Sequence, residues 1–170
     1  MKKVLILILI LVFMLISIST FGQENEILKL KEKIIEIQNR GELGFKNFTL
    51  CSNIISFASF VPLPEPVIKK DGELLVYFEP LNVFTSKKNG LYEIWYTQDM
   101  SVLTAEGKVI YEKEDALSFH YTTKSPVMDL FATNTITLTG LASGKYKYKA
   151  TLKDKLRNKT AAKIVDFEVR

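Results

Sequence analysis

The pattern of apolar and polar positions changes character twice along the chain. Val4 to Ile16 is apolar without interruption. Residues 24–40, ENEILKLKEKIIEIQNR, then repeat apolar side chains at helical spacing. From Phe45 onward, short runs of β-branched and aromatic residues alternate with polar ones and are separated by turn signals.

The helical segment places Ile27, Leu30, Ile34 and Ile37 at a and d positions of a heptad, and Leu28 and Ile35 widen the stripe. Glu24 and Glu26 near its start and Arg40 near its end suit the helix dipole, and Gly41 suits the position just past the C-cap. Such a stripe makes either a short coiled coil or a helix packed on the adjoining domain. Two heptads are short for a coiled coil, so packing on the domain is the preferred expectation.

Downstream, strands are expected at 49–60, 73–79, 91–103, 108–112, 116–123, 130–138, 144–153 and 161–169. Breaks fall at Asp71-Gly72, Lys88-Asn89-Gly90, Glu106-Gly107, Gly140 to Gly144 and Asp154 to Asn158. Val61 to Pro66 carries three prolines in an extended stretch and reads as a crossover between sheets. In residues 141–154, Tyr146, Tyr148, Ala150 and Leu152 point one way, while Lys145, Lys147, Lys149 and Lys153 point the other. Tyr146 or Tyr148 is placed to make a tyrosine corner, its phenol bonding back to the preceding loop. The expectation is an all-β sandwich over 45–170, preceded by a helix at 23–41.

The N-terminus then sets location. Lys2 and Lys3, the apolar run, and the small-residue exit Ser17 to Gly22 form the pattern of a secretory signal peptide over 1–22. Cleavage is expected between Gly22 and Gln23. An uncleaved membrane anchor is the rival reading, since Val4 to Phe21 reaches the lower limit for a span only by counting three hydroxyl residues. Both readings export the rest of the chain to the periplasm or beyond. The sole cysteine, Cys51, lies too far downstream for lipidation; it forms no internal disulfide and is expected to be buried. Lys2 and Lys3 are the only charges before residue 23, so the remainder carries 21 basic and 19 acidic residues, a balance that gives nucleic acid no general attraction.

At Leu50-Cys51-Ser52, Gly72 to Glu79 with Asn82-Val83-Phe84, Gly107-Lys108-Val109-Ile110, and Ser143-Gly144-Lys145-Tyr146 running to Lys153-Asp154, the chain resembles exported bacterial β-sandwich domains of Ig-like type whose function is uncharacterised. These motifs span roughly residues 50–169. The resemblance implies an Ig-like antiparallel sandwich of about seven or eight strands. It implies no catalytic residue and departs from the pattern at Ala58-Ser59, where a glycine is expected.

Catalytic chemistry has few pieces to work with. His120 is the only histidine and falls opposite Leu117, Phe119 and Tyr121, on a solvent face. A Cys51–His120 hydrolase pair would require the fold to bring the two together in an accessible, electropositive setting. Glu112, Glu114 and Asp115 cluster near an expected turn but lack the spacing and glycine of a calcium loop. The sequons at Asn47 and Asn158 read as chance matches. No cofactor or metal is called for, and the chain is expected not to be an enzyme.

Binding has two candidate sites besides the helix. In 91–102, Trp95 alternates onto the polar face with Glu93, Thr97, Asp99 and Ser101. There it would anchor a protein partner or stack a sugar ring. It would instead be hidden if the helix or a loop covered it, or if a bulge reset it into the core, and burial is the usual fate of tryptophan. The lysine row Lys145, Lys147, Lys149 and Lys153 would grip anionic lipid or glycan, or would serve as a solvent face discouraging edge pairing. The sequence thus points to a non-catalytic envelope module that binds another envelope protein. A glycan- or anionic-lipid-binding module is the alternative, and membrane contact is expected only if the signal segment is retained.

Overall fold

The structure is a computed structural model, described for residues 22–170. The expected signal segment lies almost wholly outside these residues. Helix α1 covers 22–38 of them. Ten strands follow: β1 (Gly44–Ser56), β2 (Ser59–Pro62), β3 (Val67–Ile68), β4 (Glu73–Leu81), β5 (Thr85–Lys88), β6 (Leu91–Thr104), β7 (Val109–Thr123), β8 (Ala132–Thr137), β9 (Gly144–Asp154) and β10 (Lys159–Val169). They build the two packed sheets of an all-β sandwich.

The first sheet runs β2-β1-β4-β8 and is antiparallel throughout. The second runs β3-β10-β9-β6, with β6 continuing onto β5 at its start and pairing β7 along its other edge. The proline-rich stretch is the expected crossover. Val61 and Pro62 finish edge strand β2 in the first sheet, and Val67 opens β3 in the second. Proline is tolerated there because an edge strand has backbone groups with no ladder partner.

The strand inventory differs from the expectation where local geometry overrides composition. Residues 49–60 split at the turn through Ala58, whose φ is +54°. The two strands expected at 108–112 and 116–123 are one, β7 (Val109–Thr123), because the acidic stretch is a bulge and not a turn. The register skips between Gln98 and Met100 of β6, Asp115 takes a φ of +43°, and its N–H donates to Asp99 Oδ1 at 2.9 Å. The short β3 and β5 carry too little pattern to read.

Alternation fills the core as expected. Leu50 of β1, Leu74, Val76 and Phe78 of β4, Ile94, Tyr96, Met100 and Val102 of β6, and Tyr148, Ala150 and Leu152 of β9 face inward and are buried. A polar cluster sits among them: Asn134 of β8 donates to Gln98 Oε1 at 3.0 Å and accepts a short bond from Tyr148. Burial pushes the Tyr148 phenol well above its ordinary range. Tyr146 makes the corner, donating to Ala142 O at 2.8 Å.

Helix α1 docks through its C-terminal half. Asn39 pairs with Thr85 in both directions, its Nδ2 donating to Thr85 O at 2.8 Å and its Oδ1 accepting from Thr85 N at 2.9 Å. Arg157, stacked over Phe84, donates to Asn39 O just beyond the last turn, where a cation also meets the negative end of the helix dipole. A Cβ at Gly41 would lie 2.3 Å from Asn82 Nδ2, so this glycine lets the chain leave the helix against β4.

Glu32 accepts from Lys87 Nζ at 2.7 Å and from the Tyr92 hydroxyl. Those hydrogen bonds, Lys87's first, hold its carboxyl below the ordinary range. A depressed folded-state pKa means that the contribution to docking is complete above the ordinary value, about 4.3, and is lost as pH falls through the folded value. Acidification below about pH 4 is therefore expected to lower the amide protection factors, exchange rates corrected for the intrinsic pH dependence, across residues 28–38. Glu32→Gln should show the lower protection already at neutral pH and no such acid step. Identical pH profiles for the two proteins would refute the role of this carboxylate.

Candidate functional site

The helix packs on the sandwich as expected, but through Leu28 and Ile35, which widen the stripe, and not through its a and d residues. Ile27, Leu30, Ile34 and Ile37 are 48, 57, 44 and 56% exposed. The docked line is instead Leu28, Glu32, Ile35 and Asn39, with Ile35 buried to 6% exposure. The anchors at Thr85, Lys87 and Tyr92 select this line, and no pattern confined to the helix could have shown where they stand.

Trp95 is likewise uncovered, at 36% exposure, because α1 docks at Thr85, Lys87 and Tyr92, which share the core-facing side of β5 and β6 with Ile94, opposite the side Trp95 takes. No bulge moves it inward. It stands on the outer face of the second sheet, directly paired with His120 of β7. The two rings stack with centroids 4.5 Å apart and planes 15° from parallel. Glu93, two residues back on the same face, meets His120 Nε2 at 2.9 Å. The result is a half-exposed Glu93–His120–Trp95 cluster spanning central strand β6 and its neighbour β7. Thr97 does not belong to the accessible surface: it is buried, with its hydroxyl shielded and unbonded among the described residues.

The lysine row lies on the same outer face, but β9 is flanked by β10 and β6 and is not an edge. The row therefore guards no edge. It is also interleaved with carboxylates. Lys153 Nζ sits 2.6 Å from Asp99 Oδ2, and the register places Asp166 opposite Lys147 and Glu168 opposite Lys145. Lys149 faces Ile164 and Ser101 instead.

Cys51 is buried, as expected, and burial pushes its thiol up. It pairs with Leu75 on the outer face of the first sheet, whereas its neighbour Leu50 faces the core. His120 is on the outer face of the second sheet, so the sandwich core separates the two and a Cys–His pair cannot form. Among the described residues no three His, Cys, Asp or Glu side chains are placed to hold a metal ion, and no helix is long and apolar enough to cross a membrane.

One feature escapes the sequence reading. The outer face of the first sheet carries an aromatic layer in which Tyr77 stacks between Phe60 and Phe131, with Phe57 beside Phe131. Alternation assigns Tyr77 to solvent, yet it is wholly buried and donates to Glu79 Oε1 at 2.9 Å. The signal was the density of aromatics at 57, 60, 77 and 131, which become neighbours only once β2, β4 and β8 are aligned. No family model matches the chain, and no curated protein matches it.

Proposed function

We propose that this protein is an exported, Ig-like, non-catalytic module that binds another protein of the cell envelope through the Glu93–His120–Trp95 cluster. The observation that carries the reading is the exposed tryptophan itself, stacked on an imidazole that a carboxylate in turn holds. Buried aromatic anchors ringed by polar groups dominate the energetics of protein interfaces, and tryptophan is enriched among them. The signal pattern supports export, and the Tyr146 corner supports the Ig-like assignment. The separation of Cys51 from His120 supports the absence of catalysis.

The glycan and anionic-lipid alternative has less behind it. One face of the indole is occupied by His120, which leaves a single face and the edge for any sugar ring. The carboxylates beside Lys145, Lys147 and Lys153 offset the field that an anionic surface would need.

Crosslinking of the tagged full chain at native expression in its own host, read by mass spectrometry, tests the reading. A reproducible envelope-protein partner is expected, and Trp95→Ala should weaken its binding about 30-fold, or about 2 kcal/mol, with an unchanged far-ultraviolet spectrum. A partner held equally by wild type and Trp95→Ala would overturn the assignment of this face.

A further inference from the structure

The exposed stripe of α1 has the chemistry of a seam with its own copy. Ile27 and Ile34 occupy a positions, and Leu30 and Ile37 occupy d positions. At about 100° per residue, the stripe lies about 150° around the helix from the docked line of Leu28, Glu32, Ile35 and Asn39. Two helices can therefore meet stripe to stripe while their sandwiches stay on opposite outer sides. In the first heptad Ile27 at a with Leu30 at d favours two strands in a parallel coiled coil; Ile37 at the second d does not add to that preference.

The flanking charges select partner and direction. Glu26 is at g and Lys31 at the following e position, so a parallel in-register pair sets Glu26 of each helix beside Lys31 of the other. Among the described residues Lys31 makes one long hydrogen bond, 3.3 Å to Ser125 Oγ, and an ammonium has three protons to give. Lys33 at g meets the neutral Gln38 at e. An antiparallel pair would instead bring Lys33 beside its own copy.

We infer that this protein self-associates through α1, as a parallel in-register pair of helices packed along Ile27, Leu30, Ile34 and Ile37. The pair rests on residues separate from the Trp95 face, so one chain can dimerise and hold a partner at once. Two heptads make a weak seam, and confinement of both copies at a surface would strengthen it by raising effective concentration.

The test is disulfide trapping of the full chain in cells of its own host, on a Cys51→Ala background. Leu30→Cys should trap a covalent homodimer at roughly ten times the yield of Lys29→Cys, whose side chain lies on a different face. Adding Ile34→Asp should abolish the Leu30→Cys dimer. Glu26→Lys should weaken trapping, and Glu26→Lys with Lys31→Glu should restore it. Equal yields from Leu30→Cys and Lys29→Cys would overturn the seam. Trapping of a different protein at Leu30→Cys, with no homodimer, would overturn the second copy as occupant. Recovery of homodimer only when Leu30→Cys is mixed with Ile34→Cys would overturn the parallel register.

Discussion

Replacing Asn134 with alanine should lower the free energy of unfolding by about 3 kcal/mol and the midpoint temperature by roughly 6–12 °C. Asn134 of the first sheet bonds two buried polar side chains of the second, donating to Gln98 and accepting from Tyr148. Its truncation removes the acceptor of the Tyr148 hydroxyl, which keeps only a 3.5 Å contact from Gln98 Nε2, and the donor to the Gln98 carbonyl, in a core where each lost partner costs about 1–3 kcal/mol. Tyr148→Phe should cost less, because Asn134 keeps its bonds to Gln98 Oε1 and Thr133 O. The two substitutions share a network, so their combined effect should fall short of the sum. Denaturant unfolding checks this. An Asn134→Ala protein within about 0.5 kcal/mol of wild type would mean that the cluster does not tie the sheets together.

Tyr77→Ala should be at least as costly, about 3–5 kcal/mol, even though Tyr77 points away from the sandwich core. It is fully buried, its ring lies 4.1 Å from Phe60 and 6.0 Å from Phe131, and its hydroxyl links the Ala58 amide to Glu79. Removal leaves a ring-sized void in a second, smaller apolar layer. The same change should uncover Cys51, which is 2% exposed on that face next to Tyr77's strand. Thiol labelling at neutral pH should proceed only through unfolding in wild type and directly from the folded state in the variant. Tyr77→Phe separates the two contributions: it should lose about 1–3 kcal/mol by orphaning the Ala58 N–H while Cys51 stays protected. A Tyr77→Ala protein with wild-type stability and labelling would show that the aromatic layer is passive cover.

Both predictions concern residues that the alternation handled differently. Tyr148 was legible as a core residue, since a strict two-residue period in β9 leaves no other assignment. Tyr77 obeys the same rule, pointing away from the core, and is buried all the same. Period two decides which face a side chain takes but says nothing about what lies over that face. The same distinction separates the fates of the site residues. That Trp95 and Glu93 share a face with each other was readable; that His120 stands beside them required the register of β6 on β7. Thr97 shares that face too, and only its neighbours bury it.

By itself the sequence determined that the chain is an all-β sandwich led by one amphipathic helix, which strands carry the core, and that the prolines at 62, 64 and 66 mark a passage between sheets. These follow from local physics: backbone preference, side-chain alternation and the lack of an N–H at proline act within a few residues. Tertiary structure alone decided that the helix presents Ile27, Leu30, Ile34 and Ile37 to the outside, that Trp95 stays exposed against His120, that the lysines of β9 sit among carboxylates in mid-sheet, and that Cys51 and His120 lie on opposite faces. Each of these depends on residues far apart in the chain, and a sequence read locally specifies the faces of its elements but not which of those faces will meet.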